Sequence, residues 1–375
     1  MNLFGPPSNK PEPGWGDFLG EFHLDLWLAV LLAVTCTLGL FVVYSASGHS
    51  SAMLMSQVQK MALAIAVMVA CAQVPPEIYR AVAPWFYGVA LLLLIVTAIF
   101  GEHSKGAVRW LNLGFVRFQP SELMKLAMPL AVAAFLHQHP LPPRLRTVLI
   151  TLTLIAVPTG LIALQPDLGT ALLVVVSGAM ALYFGGLGWR WILGAAAGAA
   201  AAAPLLWARL HDYQRQRVLT FLDPERDPLG AGYHITQSKI AIGSGGLFGK
   251  GWLNGTQASL DFLPESHTDF IFAVVAEELG LLGVLTLILL YMGIVGRGLT
   301  IAMRGQDTFQ RLLAASLSLT FFFYVFINIG MVIGLLPVVG VPLPLISFGG
   351  TSLVSLLAGF GILMSIQTHR KLLSS

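Results

Sequence analysis

Asp269 is the acidic side chain whose position in the sequence most strongly suggests chemistry. It lies where a long polar stretch, residues 208–267, gives way to an apolar one. An ionisable group at the mouth of a membrane helix is costly and is usually functional. The alternative is that Asp269 caps the N-terminus of that helix, which is a common role for aspartate.

Two further sets of ionisable residues have the sequence spacing that places side chains on one face of a helix. Glu122 and Lys125 are three residues apart, so they share one helix face as either a self-neutralising pair or part of a site. Asp269 and Glu277 are eight apart and also share a face, with Glu278 adjacent. Carboxylates placed in this way could hold a divalent cation or relay protons.

Asp167 and Trp110 each have an ordinary structural explanation. Asp167, within Gln-Pro-Asp-Leu-Gly-Thr, could cap the helix that follows it. Trp110 could anchor the chain at the membrane interface. Two polar loops also carry several cations, namely Lys105, Arg109, Arg117, Arg215, Arg217 and Lys239. These cations are either merely tolerated there or bind an anionic ligand.

The elements that position these groups are membrane helices. The chain is 56% hydrophobic and 10% charged, which excludes a soluble globular domain. About 20 apolar residues are needed to cross the hydrocarbon core. The sequence predicts an all-α polytopic bundle of ten such helices, at residues 24–44, 57–74, 82–100, 121–136, 145–164, 168–184, 189–207, 270–295, 309–335 and 345–364.

The topology follows from the loops between these helices. Ten spans place both termini on one side, and the distribution of arginine and lysine makes that side the cytoplasm. The single membrane domain, residues 1–375, then has a cytoplasmic tail at 1–23. Its large extracytoplasmic loop, 208–267, joins helices seven and eight.

Common nucleotide and hydrolase motifs are absent from the sequence. The glycine-rich run 243–251 fails the phosphate-loop pattern, because Ser244 replaces the first glycine and Gly251 replaces the final Ser/Thr. It could still cradle phosphate through backbone amides, or form a flexible turn. Metalloprotease and serine-hydrolase signatures are likewise missing.

Seven long runs of residues are spread over nearly the whole chain: 105–111 (KGAVRWL), 117–122 (RFQPSE), 163–170 (ALQPDLGT), 211–217 (HDYQRQR), 223–233 (DPERDPLGAGY), 262–272 (FLPESHTDFIF) and 337–350 (PVVGVPLPLISFGG). Through these runs the chain resembles the SEDS family (shape, elongation, division and sporulation) of ten-helix bacterial membrane proteins. The runs YQRQR and LPESHTDF favour its elongation branch over its division branch.

This resemblance implies a peptidoglycan glycosyltransferase that polymerises lipid II on the outer face of the cytoplasmic (inner) membrane. Asp269 matches the family's catalytic aspartate and would act as general base in an inverting displacement of undecaprenyl pyrophosphate. A divalent cation, Mg²⁺ or Mn²⁺, and a class B penicillin-binding protein transpeptidase are the expected cofactor and partner. The expected substrate-binding residues are Lys105, Arg109, Trp110, Arg117, Glu122, Lys125, Asp167, Arg215, Arg217, Lys239 and His267.

Two other functions remain possible for such a bundle. A lipid II flippase needs a polar path through the bilayer midplane, whereas the candidate residues cluster at one face. A scaffold without chemistry would leave the cost of Asp269 unexplained.

Overall fold

The computed structural model is a bundle of helices with one small sheet. The structure describes residues 23–104, 107–112, 117–188, 230–260 and 262–370, with scattered positions between 190 and 223. Its helices are α1 (Leu26–Ala46), α2 (Ser51–Gln73), α3 (Pro76–Phe100), α4 (Pro120–His137), α5 (Leu145–Leu164), α6 (Leu168–Phe184), α7 (Ala231–Ser244), α8 (Thr256–Ser259), α9 (Ile271–Met303), α10 (Thr308–Val332) and α11 (Thr351–Thr368).

These helices confirm the predicted membrane bundle. Among the described residues, seven helices are long and apolar enough to cross a membrane, namely α1, α2, α3, α5, α9, α10 and α11. The shorter α6 is also apolar, and α4 is buried along most of its length. Together they account for nine of the ten predicted spans; about half of the remaining one, 189–207, lies outside the described residues.

Helix boundaries differ from the predicted ones where polar or proline residues act as caps. The helix α2 begins six residues early because the Ser50 side chain accepts a hydrogen bond from Met53 N. The helix α3 begins at Pro76, since proline is well suited to the first helical turn. The predicted helix at 345–364 begins only at Thr351, because three prolines between 337 and 344 keep the preceding segment irregular.

A three-stranded antiparallel sheet lies between α3 and α4. Its strands are β1 (Glu102–Ser104), β2 (Ala107–Asn112) and β3 (Arg117–Phe118), in the order β1-β2-β3. The strands are too short for their alternation to be recognised in the sequence, so the sheet is an addition to the predicted all-α fold. We call the end of the bundle that carries it the sheet end.

The helices α4 and α10 form the centre of the bundle. The helix α4 packs against α3, α6 and α10, and α10 packs in addition against α9. Polar groups on α4 are thereby kept away from lipid. This enclosure makes Glu122 and Ser121 buried side chains although they lie in a membrane-spanning helix.

The long helix α9 is broken at Gly280. Its backbone there has φ 64° and ψ −164°, a conformation that essentially only glycine adopts. The glycine-rich run 243–251 fills the break. Lys250 N and Gly251 N donate to the carbonyls of Glu277 and Glu278, at 3.0 Å each. The run therefore satisfies the open backbone groups of a broken helix, and these two amides are not available to phosphate.

Candidate active site

A polar cavity of about 610 Å³ lies at the sheet end of the bundle. It is enclosed by β2, the start of α4, the α5–α6 connection, the segment before α9, and the segment before α11. Its polar lining consists of Arg109, Trp110, Gln119, Glu122, Asp167, Thr170, Glu265, Thr268, Asp269, Tyr324, Thr351 and Ser352. Five of the predicted site residues, Asp269, Arg109, Trp110, Glu122 and Asp167, thus surround one space.

Asp269 is a half-buried residue in the turn that leads into α9. Phe270 occupies the N-cap position and no side chain caps the helix, so the alternative interpretation of Asp269 as a cap is wrong. The Asp269 carbonyl accepts a hydrogen bond from the buried Asn328 side chain at 2.9 Å, and Asn328 Nδ2 also donates to Val341 O at 2.7 Å. The Asp269 backbone is therefore fixed between α10 and the segment before α11.

The segment before α11 also binds the two residues that precede Asp269. Ser347 Oγ donates to Thr268 O at 2.5 Å, and Phe348 N donates to His267 O at 2.9 Å. The His267 ring contacts Phe348 edge-on, with ring centroids 6.1 Å apart. His267 is absent from the cavity lining, so its predicted contact with substrate is not evident; its visible role is to hold this turn.

Glu265 is a further residue of the cavity lining, and it is not among the predicted site residues. Its backbone lies in the left-handed region at φ 53°, which is unusual for a residue other than glycine. Its side chain accepts a hydrogen bond from Thr268 Oγ1 at 2.9 Å. Strained residues of this kind cluster at functional sites. The signal available in the sequence was its place in the run Leu-Pro-Glu-Ser-His-Thr-Asp.

Arg109 and Asp167 form the wall opposite α9. Arg109 Nε is 3.9 Å from Asp167 Oδ2, and its guanidinium also donates to the Pro166 carbonyl. Asp167 accepts from Gln119 Nε2 at 2.9 Å and, as predicted, caps α6 through Thr170 N at 3.3 Å. The Arg109 side chain is 27% exposed and that of Asp167 only 5%. The cation is thus the more accessible member of the pair.

Glu122 and Lys125 form a buried ion pair at the floor of the cavity. Lys125 Nζ is 2.7 Å from Glu122 Oε2, and Ser355 Oγ donates to the same oxygen at 2.8 Å. Lys125 lies beneath Tyr324, with its ammonium 4.8 Å from the ring centroid. Of the pair, Glu122 reaches the polar cavity, whereas Lys125 lines a small apolar space below it.

An apolar groove of about 610 Å³ adjoins the polar cavity. It runs between α2, α3, α4 and α11. Three residues, Glu122, Gly350 and Thr351, line both spaces. We use apolar groove for this space, whose lining includes Leu63, Val67, Val82, Phe86, Leu123, Leu126, Leu130, Val354, Ala358 and Ile362.

The other predicted cations are not brought to the cavity by the described residues. Lys239 is exposed on α7 beside Gly334. Arg215 Nε donates to Trp207 O at 3.0 Å. Lys105 and Arg217 lie outside the described residues, and for Arg117 only the backbone in β3 is described.

Glu277 and Glu278 do not share a site with Asp269. Glu277 is fully buried and accepts from Lys250 Nζ at 2.7 Å and from Thr256 N at 2.9 Å. Glu278 accepts from Ser45 Oγ. The helical-face argument failed because Asp269 precedes the helix. These two carboxylates anchor the 243–257 segment to α9 instead.

The chain belongs to the FtsW/RodA/SpoVE family of cell cycle proteins, whose family model matches residues 25–372. It is 55% identical to the peptidoglycan glycosyltransferase MrdB of Escherichia coli strain K12 over 97% of this chain and 98% of MrdB. It is 33% identical to the probable peptidoglycan glycosyltransferase FtsW of Coxiella burnetii, over 92% of this chain and 96% of that protein.

Solved structures show the same fold. A chain from a peptidoglycan synthase complex that coordinates polymerization and crosslinking superposes with a TM-score of 0.82 at 33% identity, covering 92% of this chain and 97% of that one. The rod shape determining protein RodA of Thermus thermophilus gives 0.71 at 30% identity, covering 93% and 98%. The predicted family, the multi-pass helical membrane fold and the class of peptidoglycan glycosyltransferase are therefore confirmed.

Proposed function

We propose that this protein polymerises lipid II into β-1,4-linked glycan strands during cell elongation, with Asp269 as the catalytic base. The observation that carries the proposal is the junction of the two spaces. A polar cavity containing Asp269 shares Glu122, Gly350 and Thr351 with an apolar groove between helices. A substrate with a sugar head and a polyprenyl tail needs this combination, and the groove lets it enter sideways from the bilayer.

The proposed reaction is a single displacement. Asp269 removes the proton from the GlcNAc 4-hydroxyl of one lipid II as that oxygen attacks MurNAc C1 of the growing chain. The C1–O bond to pyrophosphate breaks, undecaprenyl pyrophosphate leaves with the bonding electrons, and the configuration changes from α to β. The fixed backbone of Asp269, bound by Asn328, keeps the carboxylate in place for the transfer.

Arg109 is the accessible cation for the leaving group. A guanidinium forms charge-assisted hydrogen bonds with phosphate oxygens. Asp167 lies 3.9 Å from Arg109 Nε and holds the guanidinium toward the cavity without covering it. Trp110, which follows on β2, supplies an aromatic wall of the kind that packs against sugars.

A divalent cation fits this cavity only with help from the substrate. The described residues contain no group of three or more His, Cys, Asp or Glu side chains able to hold a metal. Mg²⁺ commonly takes one or two carboxylates and completes its coordination with substrate phosphates and water. Glu265 is the cavity carboxylate suited to that role beside the base. A bound Mg²⁺ or Mn²⁺ would add to Arg109 in neutralising pyrophosphate.

We further propose that the sheet end faces outward from the inner membrane and that both termini are cytoplasmic. The positive-inside distribution of the short loops supports this orientation. A class B penicillin-binding protein is the proposed partner, supported by the likeness to a chain of a complex that coordinates polymerization and crosslinking. Crosslinking of the strands made here would then occur on the same side of the membrane.

The geometry favours a transferase over a flippase. The polar cavity ends at Glu122 and Tyr324, and the space beneath them around Lys125 measures about 50 Å³ and is lined mainly by apolar residues. Among the described residues, the polar groups at the opposite end form separate contacts, such as Arg80 with Asp307 at 3.1 Å. The apolar space around Lys125 therefore interrupts a polar path from this cavity toward the opposite end.

The decisive experiment is polymerisation of labelled lipid II by the purified protein, with and without the partner transpeptidase, resolved as glycan chains on a gel. Wild-type protein is expected to give chains, and Asp269→Asn is expected to give essentially none. Glycan synthesis by the Asn variant at the wild-type rate would refute the role of Asp269.

A further inference from the structure

Lys60 is a cation inside a membrane helix and has no counter-ion among the residues the structure describes. It lies on α2 and lines the apolar groove. Its ammonium is 3.8 Å from the centroid of the Phe348 ring. Among the described residues it forms no salt bridge or hydrogen bond with another side chain or the backbone.

Two other cations within the described membrane helices are neutralised. Lys125 is paired with Glu122 at 2.7 Å, and Arg297 is paired with Asp25 at 2.5 Å. A charge held in apolar surroundings without a partner is expensive, and ionisable residues of this kind are usually functional. Contact with the Phe348 ring offsets part of that cost through a cation–π interaction. The part of the cost that is not offset indicates that Lys60 pairs with an anion that binds transiently.

Snorkelling to the membrane surface does not explain Lys60. Lysines near helix ends extend their ammonium groups toward water. Lys60 follows Ser51, the first residue of α2, by nine positions, which is roughly 14 Å along the helix axis. Its side chain is directed across the groove to Phe348 instead.

The position of Lys60 matches one part of a lipid-linked sugar. Phe348 lines the polar cavity, and the Lys60 stem lies against Gly350, where an added Cβ would be 3.4 Å from Lys60 Cδ. Gly350 lines both spaces. The order along the molecule is therefore apolar groove, Lys60, polar cavity. The order along the substrate is polyprenyl tail, pyrophosphate, sugar.

We propose that Lys60 binds the pyrophosphate of the polyprenyl-linked substrate whose tail occupies the apolar groove. This inference rests on the proposed function, because it assigns one substrate contact within that site. Phosphate oxygens would replace the Phe348 ring as the partner of the ammonium. Lys60 would thereby set how far the lipid enters and place the sugar in the cavity that contains Asp269.

The test distinguishes an effect of the Lys60 charge on substrate binding from an effect on folding or on the catalytic step. Lys60→Met removes the charge and keeps the stem, Lys60→Arg keeps the charge, and Arg304→Met removes an exposed cation from the opposite end of the bundle. Polymerisation is measured against lipid II concentration. We expect Lys60→Met to raise KM at least 10-fold with a smaller effect on kcat. Lys60→Arg should stay within about threefold of wild type, and Arg304→Met should match wild type.

A binding measurement removes the dependence on turnover. Undecaprenyl pyrophosphate and undecaprenol are titrated onto detergent-solubilised Asp269→Asn protein with and without Lys60→Met. The Met change should weaken undecaprenyl pyrophosphate binding about 10-fold and leave undecaprenol binding unchanged. If Lys60→Met does not fold, Lys60→Gln takes its place in both assays.

The outcomes distinguish the two proposals. Wild-type KM and unchanged pyrophosphate binding in the Lys60 variant, together with active wild-type enzyme, would overturn the role of Lys60 alone. Equal weakening of undecaprenol and undecaprenyl pyrophosphate would also overturn it, because the effect would then come from groove packing. Absence of polymerisation by wild-type protein with its partner would instead refute the proposed function.

Discussion

Replacing Lys125 by methionine removes the cation of the buried Glu122–Lys125 pair while keeping most of the side-chain volume. Glu122 would keep the hydrogen bond from Ser355 at 2.8 Å, but its side chain is only 7% exposed and little water can replace the ammonium. Leaving one charge of a buried pair uncompensated costs about 3–5 kcal/mol. We expect a clear fall in the thermal denaturation temperature of Lys125→Met in detergent.

Replacing both Glu122 and Lys125 by neutral residues tests whether the pair is needed for stability alone or also for activity. In the double variant Glu122→Gln, Lys125→Met, the amide oxygen can still accept from Ser355 and no charge remains buried. Such replacements are often neutral or stabilising, so stability should return to within about 1.5 kcal/mol of wild type. Glu122 lines both the polar cavity and the apolar groove, and we therefore expect the stable double variant to remain inactive.

Thermal stability and lipid II polymerisation are measured on the same preparations. Arg80→Met serves as control, since its pair with Asp307 is about a third exposed on both sides and should contribute at most about 1 kcal/mol. The control should be stable and active. A double variant that is both stable and fully active would show that Glu122 and Lys125 only hold helices together, and the assignment of Glu122 to the site would be refuted.

Three further perturbations test the site and the fold. Asp269→Asn should reduce polymerisation roughly 100-fold or more without changing the melting temperature, because it removes only basicity; a normal rate would exclude general-base catalysis by Asp269. Arg109→Ala should lower turnover and Arg304→Ala should not, in the same gel assay, and equal damage from both would contradict a site at the sheet end. Gly280→Ala should destabilise the protein by roughly 1–3 kcal/mol, because its φ is 64° and the new Cβ would lie 2.2 Å from Gly249 N, whereas Gly296→Ala in open space should be neutral by thermal melting; equal melting temperatures would show that the break is not constrained.

The membrane helices could be predicted because hydrophobic length is a property of the sequence alone. Residues 145–164 and 168–184 match their helices at both ends. The residues before Thr351 were wrongly assigned to a helix, since an apolar run does not reveal that its backbone hydrogen bonds go elsewhere. Ser347 Oγ, for example, accepts from Leu343 N at 2.7 Å.

The sequence could predict those residues of the candidate site that lie next to the ends of the predicted membrane helices. Arg109, Asp167 and Asp269 all lie in connections at the same end of the predicted spans, and this placed them together. Asn328 and Glu265 were missed because their importance depends on contacts made only after folding. Lys60 had a signal that was overlooked, namely an ionisable residue within the apolar stretch 57–74.

The break at Gly280 bears on how α9 enters the membrane during synthesis. The helix has 33 residues, about 50 Å, which exceeds the thickness of the hydrocarbon core. The part after the break, residues 281–303, has 23 residues and spans roughly 35 Å by itself. Insertion can therefore be completed by this part, which carries a single charge, Arg297. Glu277 and Glu278 then lie outside the segment that has to partition into lipid. They can settle late, when the loop bearing Lys250 folds back onto them.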